Sequence, residues 1–534
     1  MPNDGFDRRK FIGSTLATPL VGFARPQSIA QAAAQDENTR YQLYWGDLHN
    51  HNAVGYAKGS LERSIDIARE HLDFFAFTGH ASWHDMPKMP GDRHMKWVNG
   101  FKVHRDHWPK TRQLLQDATD QNFAALLGYE WHSSQFGDYC LIFGEDQPEL
   151  YLPDHVDKLL KFAAAQQALA IPHHLAYARG WRGANFDHFT PSVSPVVEIF
   201  SEHGCSESVS SPVGDFIRHS MGGRVTENTV ERQLSKGRRF GFVASSDDHR
   251  GYPGAYGAGL VAIWARDGSP QSLIDAVRER RTYAITGDRI QLDFTLNDQP
   301  MGSELSRTVD RQIEIRVSAP DSIKMIELVR NGKVIERHFP EDTAQRPAKI
   351  PGIVSCRLRY GWGPWGALDL GRICDWDLKI GVVGGQFRQA IPCFQTAPFD
   401  EQRRDRLRKL STTELHLISH TTRVQSYGED PTKAVILDIE AETPDAQLSV
   451  TCRQPYQQTE RVTLSALQHD NRIFFTGPFT SESYMLERLV GPTECTAQLT
   501  WHDRRPQDDH TDWYYVRVQQ HNNHMAWSSP IWVG

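Results

Sequence analysis

The chain has 534 residues, 59 Lys plus Arg against 66 Asp plus Glu, and a formal charge of −7. That length exceeds what one hydrophobic core usually serves and calls for about two to three domains. Acidic and basic residues are mixed along it, without the clustered Lys and Arg of a nucleic-acid footprint, so no nucleic-acid partner is expected. Beyond the amino terminus no apolar run reaches the roughly eighteen residues of a membrane span, so none is expected in the mature form.

The segment Asp7-Arg8-Arg9-Lys10-Phe11-Ile12 resembles a twin-arginine export signal. A mildly apolar stretch from Phe11 to Ala24 and a small-residue cleavage region around Ala30 to Ala34 follow it. Residues 1–34 are therefore read as a signal peptide, with the Tat export machinery as partner and a periplasmic or secreted mature protein.

From Gly46 the sequence alternates between strand-like runs and amphipathic helices. Gly46-Asp47-Leu48-His49-Asn50-His51, Phe77-Thr78-Gly79-His80 and Ser245-Ser246-Asp247-Asp248-His249 each close a strand-forming run with histidine. Alternate residues of an extended chain share a face, so His49 and His51 can reach one ion together, as can Asp247 and His249. Imidazole and carboxylate suit zinc, manganese or iron better than calcium. Between these segments, apolar runs lead into Glu130 and His132, into His173 and His174, and from Glu198 into His203. Helical spacing covers Ser60 to Leu72, Trp108 to Gln121, His155 to Gln167 and Val230 to Arg239. Strand and helix alternating in this way predict parallel βα units whose carboxyl ends gather the site. Sixteen of the 24 histidines fall between His49 and His249, which favours a site over scatter.

After Ile290 the grammar changes to strands and turns. Gln312 to Val317 alternates with period two, and Met325 to His338 reads as a hairpin about Asn331-Gly332. Ala434 to Glu442, Trp513 to Val518 and Ala526 to Val533 read as further strands. The stretch Gly361-Trp362-Gly363-Pro364-Trp365-Gly366 is a candidate substrate platform or a packed loop. The seven cysteines show neither a CxxC nor a zinc-finger spacing, and an oxidising compartment would permit disulfides among Cys356, Cys374, Cys393, Cys452 and Cys495.

Taken as a set, Tyr44 to His49, Gly128 to Trp131, Val197 to Ile199 with Ser206-Glu207, Ser246 to His249, Arg281 to Ile290 and Ala526 to Trp532 resemble the PHP superfamily. These polymerase and histidinol phosphatase proteins are metal-dependent phosphoesterases, and the similar branch is large and functionally uncharacterised. The resemblance implies an α/β fold with a distorted (β/α)7 PHP-type barrel over residues 41–290, and the strand-and-turn pattern that follows reads as a mostly β, sandwich-like domain over 291–534. It implies two or three divalent metal ions (Mn, Fe or Zn) on His49, His51, His80, Glu130, His173, Asp247 and His249, with Asp138 where the family usually places another histidine. Two departures stand out: Gly55-Tyr56-Ala57-Lys58 lacks an acidic or histidine ligand, and Thr78-Gly79-His80 lacks an aspartate. Lys58 is either a replacement charge or a solvated side chain.

His203 is read as a proton donor or leaving-group stabiliser and Arg250 as an anion clamp. Tyr252 and Trp131 are pocket walls or packing. The expected activity is that of a metal-dependent hydrolase, a phosphoesterase, using a metal-activated hydroxide on a small-molecule or sugar-linked substrate. The alternatives are hydrolysis of a non-phosphorus ester, lactone, amide or glycosidic bond, and a non-catalytic exported carbohydrate- or metal-binding protein.

Overall fold

The computed structural model describes residues 41–213, 224–340, 347–363, 372–423, 431–506 and 510–534. The export signal read at residues 1–34 and the Pro364-Trp365-Gly366 part of the aromatic stretch lie outside the described residues. Among the described residues no helix is long and apolar enough to cross a membrane.

The fold is mixed α/β with a majority of strands. Its amino-terminal half runs β1 (Gln42–Asp47), α1 (Leu61–His71), β2 (Phe74–Phe77), β3 (His80–Trp83), α2 (Met95–Ala118), β4 (Ala124–His132), β5 (Asp138–Phe143), α3 (Val156–Ala165), β6 (Leu169–His173), β7 (Val196–Ser201), β8 (Gly204–Cys205), α4 (Val230–Ser235), β9 (Gly241–Ala244), β10 (Leu260–Ala265), α5 (Pro270–Arg278) and β11 (Thr282–Ile285). Helix α1 starts where Ser60 accepts a hydrogen bond from the Arg63 N–H, the side-chain cap expected of serine. Helix α2 begins thirteen residues before the expected Trp108 and runs through Pro109. Proline is a natural start signal there, but buried Phe101, His104, Trp108 and Leu115 hold the helix on both sides of it.

Strands β1, β2 and β4 pair in parallel, as do β7 and β9. The expectation of parallel units throughout needs correction, because β5 runs antiparallel to both β4 and β6, and β10 antiparallel to both β1 and β11. The physical reason at β5 is the short Ser133–Gly137 turn. Gly137 has φ 86° and its N–H bonds the Ser133 carbonyl, so the chain reverses without a crossover helix. The reversal keeps the start of β5 at the carboxyl end of β4.

The sheet of β7, β8 and β9 fits between β6 and β11. On one side the Ala170 N–H donates to Val193 O (2.7 Å) and Ser194 Oγ to Ala170 O (2.6 Å). On the other, Thr282 Oγ1 donates to Phe242 O at 2.9 Å, while the Phe242 N–H donates to Ser529 Oγ at 2.9 Å.

The remaining strands make three kinds of layer, one of them a four-stranded sheet of Gln291–Leu296, Gln299–Pro300, Asp310–Ser318 and Thr496–Arg504. Ile323–Arg330, Lys333–His338, Asp512–Gln520, Met525–Ser528 and Ile531–Val533 extend the large sheet beyond β11, so the end of the chain completes a sheet begun at Gln42. The hairpin expected at Asn331-Gly332 is present, with both residues at positive φ (49° and 77°) as a tight turn of this hand requires. Two five-stranded antiparallel sheets, centred on Gly352–Trp362 and Ile373–Val383, enclose a second apolar core of Val354, Leu358, Trp376, Leu378, Leu417 and Leu437. All seven cysteines are buried and free, so the disulfides that the sequence permits do not form.

Candidate metal centre

The site begins with how β1 is tied to the segment after β9. The Asp247 N–H donates to His49 O at 2.8 Å and the His51 N–H to Asp248 O at 3.0 Å. Buried Asp47 accepts from the Ser246 N–H (3.0 Å), Ser246 Oγ (2.5 Å), the Gly254 N–H (2.8 Å) and the His49 N–H (3.1 Å). Asp47 and Asp248 thus act on backbone, with Asp248 Oδ1 accepting from the Arg250 and Tyr252 N–H groups. Asp247 itself sits at φ 52°, a left-handed backbone uncommon outside glycine that aims its carboxylate at His49 and His51.

The donor atoms lie at the spacing expected of neighbours in one coordination shell. His49 Nε2 is 3.1 Å from His51 Nε2, and Asp247 Oδ1 is 2.9 Å from His51 Nε2 and 3.4 Å from His49 Nε2. Bonds of about 2.0–2.2 Å at tetrahedral to octahedral angles put ligand atoms roughly 3 Å apart. Glu130 stands at the centre. Its Oε1 lies 2.5 Å from His173 Nε2 and 3.9 Å from His49 Nε2, while Oε2 lies 3.1, 3.5 and 3.6 Å from the Nε2 atoms of His132, His80 and His51. The rings of His51 and His80 stack at 3.9 Å, and His249 joins them at centroid distances of 4.5 and 5.1 Å.

Burial, reinforced by the neighbouring His249, pulls His51 down to about 3. Burial likewise lowers His80 and His174, so these rings stay neutral, the form in which imidazole binds metals. Burial opposes charge on His49 and His249, but Asp247 outweighs it at His49 and Glu202 with Asp247 raises His249 to about 9. Burial would raise Glu130, yet His132 and His173 hold its carboxyl well below the usual range. Burial pushes the Cys140 thiol, which faces His49 and His173, up to about 12. Carboxylates and imidazoles buried this closely together are costly to desolvate, and a divalent cation is the ligand that satisfies them together.

The structure therefore brings together His49, His51, His80, Glu130, His173, Asp247, His249 and, at their edge, Asp138 and His203. Asp138 also belongs to a trio with His173 and His174. Its oxygens are engaged, however: Oδ1 accepts from the Ser133 N–H at 3.1 Å, and Oδ2 takes Arg182 Nε at 2.6 Å and NH2 at 2.5 Å. His203 Nε2 lies 3.2 Å from Asp247 Oδ2 and faces a cavity lined by His174, Tyr177, Glu198, Phe200 and Ser206. Arg250 is half-buried, and its backbone is fixed by Asp248 and by Arg63, which donates to its carbonyl at 2.9 Å.

His132, His174 and Glu198, which the sequence places at strand ends without a role, and Arg182, which no motif marks, also belong to the site. Glu130 and His132 alternate as His49 and His51 do, and that period-two signal was available. Glu198 orients a ligand, with Oε2 at 3.0 Å from His49 Nδ1. The departure at Gly79 has a steric cause, since a Cβ there would lie 2.4 Å from the Phe77 ring and 2.5 Å from Val54 O. Tyr56 stands over His80 and His249 at 5.1 and 6.1 Å and stacks on Trp97 at 4.9 Å, forming an aromatic wall. Lys58 is exposed, 5.6 Å from the Phe399 ring, and is not the replacement charge. Trp131 is packing, its Nε1 donating to Pro153 O at 2.7 Å. Tyr252 is packing too, turned towards the carboxyl-terminal sheets.

Residues 254–311 match a family described as "Protein of unknown function (DUF3604)". An uncharacterised protein of Chlamydia pneumoniae is 34% identical over 323 residues, covering 56% of this chain and 49% of its own length. An uncharacterised protein of Chlamydia muridarum is 28% identical over 332 residues, covering 57% and 50%. The chain thus spans about half the length of the curated relatives it matches. Among solved structures, a two-domain protein of Bacteroides vulgatus containing a predicted PHP-like metal-dependent phosphoesterase superposes with a TM-score of 0.31 at 14% identity, over 54% of this chain and 80% of that one.

Proposed function

We propose that the protein is a metal-dependent hydrolase, built on a distorted PHP-type barrel, that cleaves a phosphoester of a small or sugar-linked compound. The observation that carries this reading is the buried set of imidazoles and carboxylates converging on Glu130, with ligand-type atoms of His49, His51 and Asp247 about 3 Å apart, 3.1 and 2.9 Å between neighbours. The resemblance of the motifs around His49, Glu130 and Asp247 to PHP proteins supports the phosphoester class. His49, His51, Glu130, His173 and Asp247 would hold one ion, and His80, His132 and His249 a second beside it. Divalent ions bound there supply activation of water near neutral pH and neutralise charge developing on substrate oxygens.

The chain's own groups do the rest. His203, at the wall of the cavity and 3.2 Å from Asp247, holds a proton towards the departing group, and Arg250 orients the anion. Tyr56 and Trp97 present an aromatic face beside His80, which suits the ring of a sugar-linked substrate.

The test is a substrate panel with protein loaded with manganese, iron or zinc. Small phosphomonoesters or phosphodiesters are expected to turn over faster than acyl esters, lactones or glycosides. His203→Ala should slow most those with basic leaving groups, where protonation matters most. Turnover restricted to acyl esters, lactones or glycosides would overturn the phosphoester assignment, and no turnover of any substrate would overturn the enzyme.

A further inference from the structure

Arg182 brings a guanidinium into the ligand set described above. Its side chain is 12% exposed and lies between two carboxylates exposed by no more than 1%, Asp138 and Glu130. Nε and NH2 both contact Asp138 Oδ2, at 2.6 and 2.5 Å. NH2 is also 3.0 Å from His132 Nδ1 and 3.9 Å from Glu130 Oε1, and the guanidinium covers the Trp83 ring at 5.1 Å.

This placement is enforced by the backbone. Arg182 sits at φ 68°, a region that an arginine enters at a cost, and its N–H donates to Ser134 O at 3.1 Å. The next residue, Gly183, has no room for a side chain, since a Cβ would fall 2.0 Å from Tyr177 O. The loop is therefore held against the β4–β5 turn in a strained form that delivers a permanent positive charge to Asp138.

Asp138, His173 and His174 offer donor atoms close enough together for an ion. The arginine already balances the Asp138 carboxylate there, and burial of that carboxyl is outweighed chiefly by the same guanidinium. Guanidinium stays charged at any working pH, so it serves the carboxylate without metal supply. We propose that Arg182 is a built-in cation that takes the place of a metal ion at the Asp138–His173–His174 corner and limits the centre to two ions. This rests on the metal-centre reading above and fixes its stoichiometry.

The experiment uses the full chain with zinc as probe, read by elemental analysis and by anomalous scattering from crystals. Native protein is expected to hold two equivalents, with no zinc within the roughly 2.0–2.2 Å of a bond to Asp138. Arg182→Gln should bind about one equivalent more, located on Asp138 and His173, while Arg182→Lys keeps the native count. Zinc on Asp138 in the native protein overturns the inference, as does a native count in Arg182→Gln. Should that variant fail to fold, the native anomalous map decides alone. Native crystals without zinc at His49, His51 and Asp247 would instead sink the metal centre itself, a distinct result from zinc bound there and on Asp138 together.

Discussion

The two Glu130 oxygens face different imidazoles, Oε1 towards His173 and Oε2 towards His132, His80 and His51, which is the arrangement the proposed two-ion centre would need of a shared ligand. That division sets the roles of its neighbours. His132 Nε2 lies 3.1 Å from Glu130 Oε2 among the ligand atoms, whereas the Asp138 oxygens are bonded to Arg182 and Ser133. His132→Ala should therefore lose about one equivalent of zinc by elemental analysis, and Asp138→Asn should keep the native content. Equal loss in the two variants would refute the assignment of His132 as a ligand in place of Asp138. The pairs His49 with His51 and Asp247 with His249 were legible because period two is a local property of an extended chain. Glu130 and His132 carry the same signal, but only Glu130 is read as a ligand, through the family resemblance. Arg182 was not legible, since it lies 50 residues from His132 in a glycine-flanked loop and no local periodicity announces a long-range guanidinium.

At the scale of elements, the strand ends could be read from apolar runs closing on histidine or carboxylate, but strand direction could not. An inward strand shows the same residue types whether it runs parallel or antiparallel, so β5 was indistinguishable from a loop between two parallel units. The consequence is mechanical: β4 carries Glu130 and His132 on a strand flanked by β2 and then β3 on one edge and the reversing β5 on the other. Gly128 lets these strands close. A Cβ there would lie 2.4 Å from Leu141 O and 2.9 Å from Phe77 O, both backbone atoms of the flanking strands. Gly128→Val should cost about 1–3 kcal/mol in chemical denaturation, as overpacking does. It should also weaken zinc binding, because Glu130 is displaced with its strand. A variant with the native midpoint and native zinc affinity would show that β5 yields without disturbing the site.

At the scale of the whole molecule, the carboxyl-terminal sheets hold the loop that follows His249. Tyr252, Ala255 and Ala258 of that loop, with Ile67 of α1, are buried in the same apolar core as Leu358, Trp376 and Leu417. Arg63 donates to Arg250 O (2.9 Å), Gly251 O (2.8 Å) and Asp400 O (3.3 Å), bridging α1, the loop and the sandwich. Tyr252 donates to Asp405 Oδ2 at 2.8 Å, and Asp405 is paired with buried Lys433 at 2.8 Å. The β-rich character of this half was legible from alternation and turns, but its clasp on the site loop joins positions far apart in sequence and had no local signature.

The clasp makes a prediction that links stability to the site. Burial disfavours the charge on both Asp405 and Lys433. At the carboxylate the ammonium, Ser419 and Tyr252 outweigh burial and hold the pKa below the ordinary 3.8, while at Lys433 burial wins and lowers the pKa. The difference follows from donor count, since Asp405 has several donors and Lys433 faces one carboxylate. A depressed carboxyl stabilises the fold above its unfolded pKa, so Asp405's contribution is complete above about pH 4 and is lost as the pH falls on through its lower folded value. Lys433→Met leaves the carboxylate buried without its cation and should cost about 3–5 kcal/mol near neutral pH. The double variant Asp405→Asn, Lys433→Met removes both charges and should recover most of that loss in the same denaturation experiment. Zinc affinity should follow the same order, native and double variant above the single, because the loop carrying Tyr252 follows directly on Asp247 and His249. A Lys433→Met protein as stable as the native one, or equally destabilised single and double variants, would show that the charged pair does not hold the sandwich to the site.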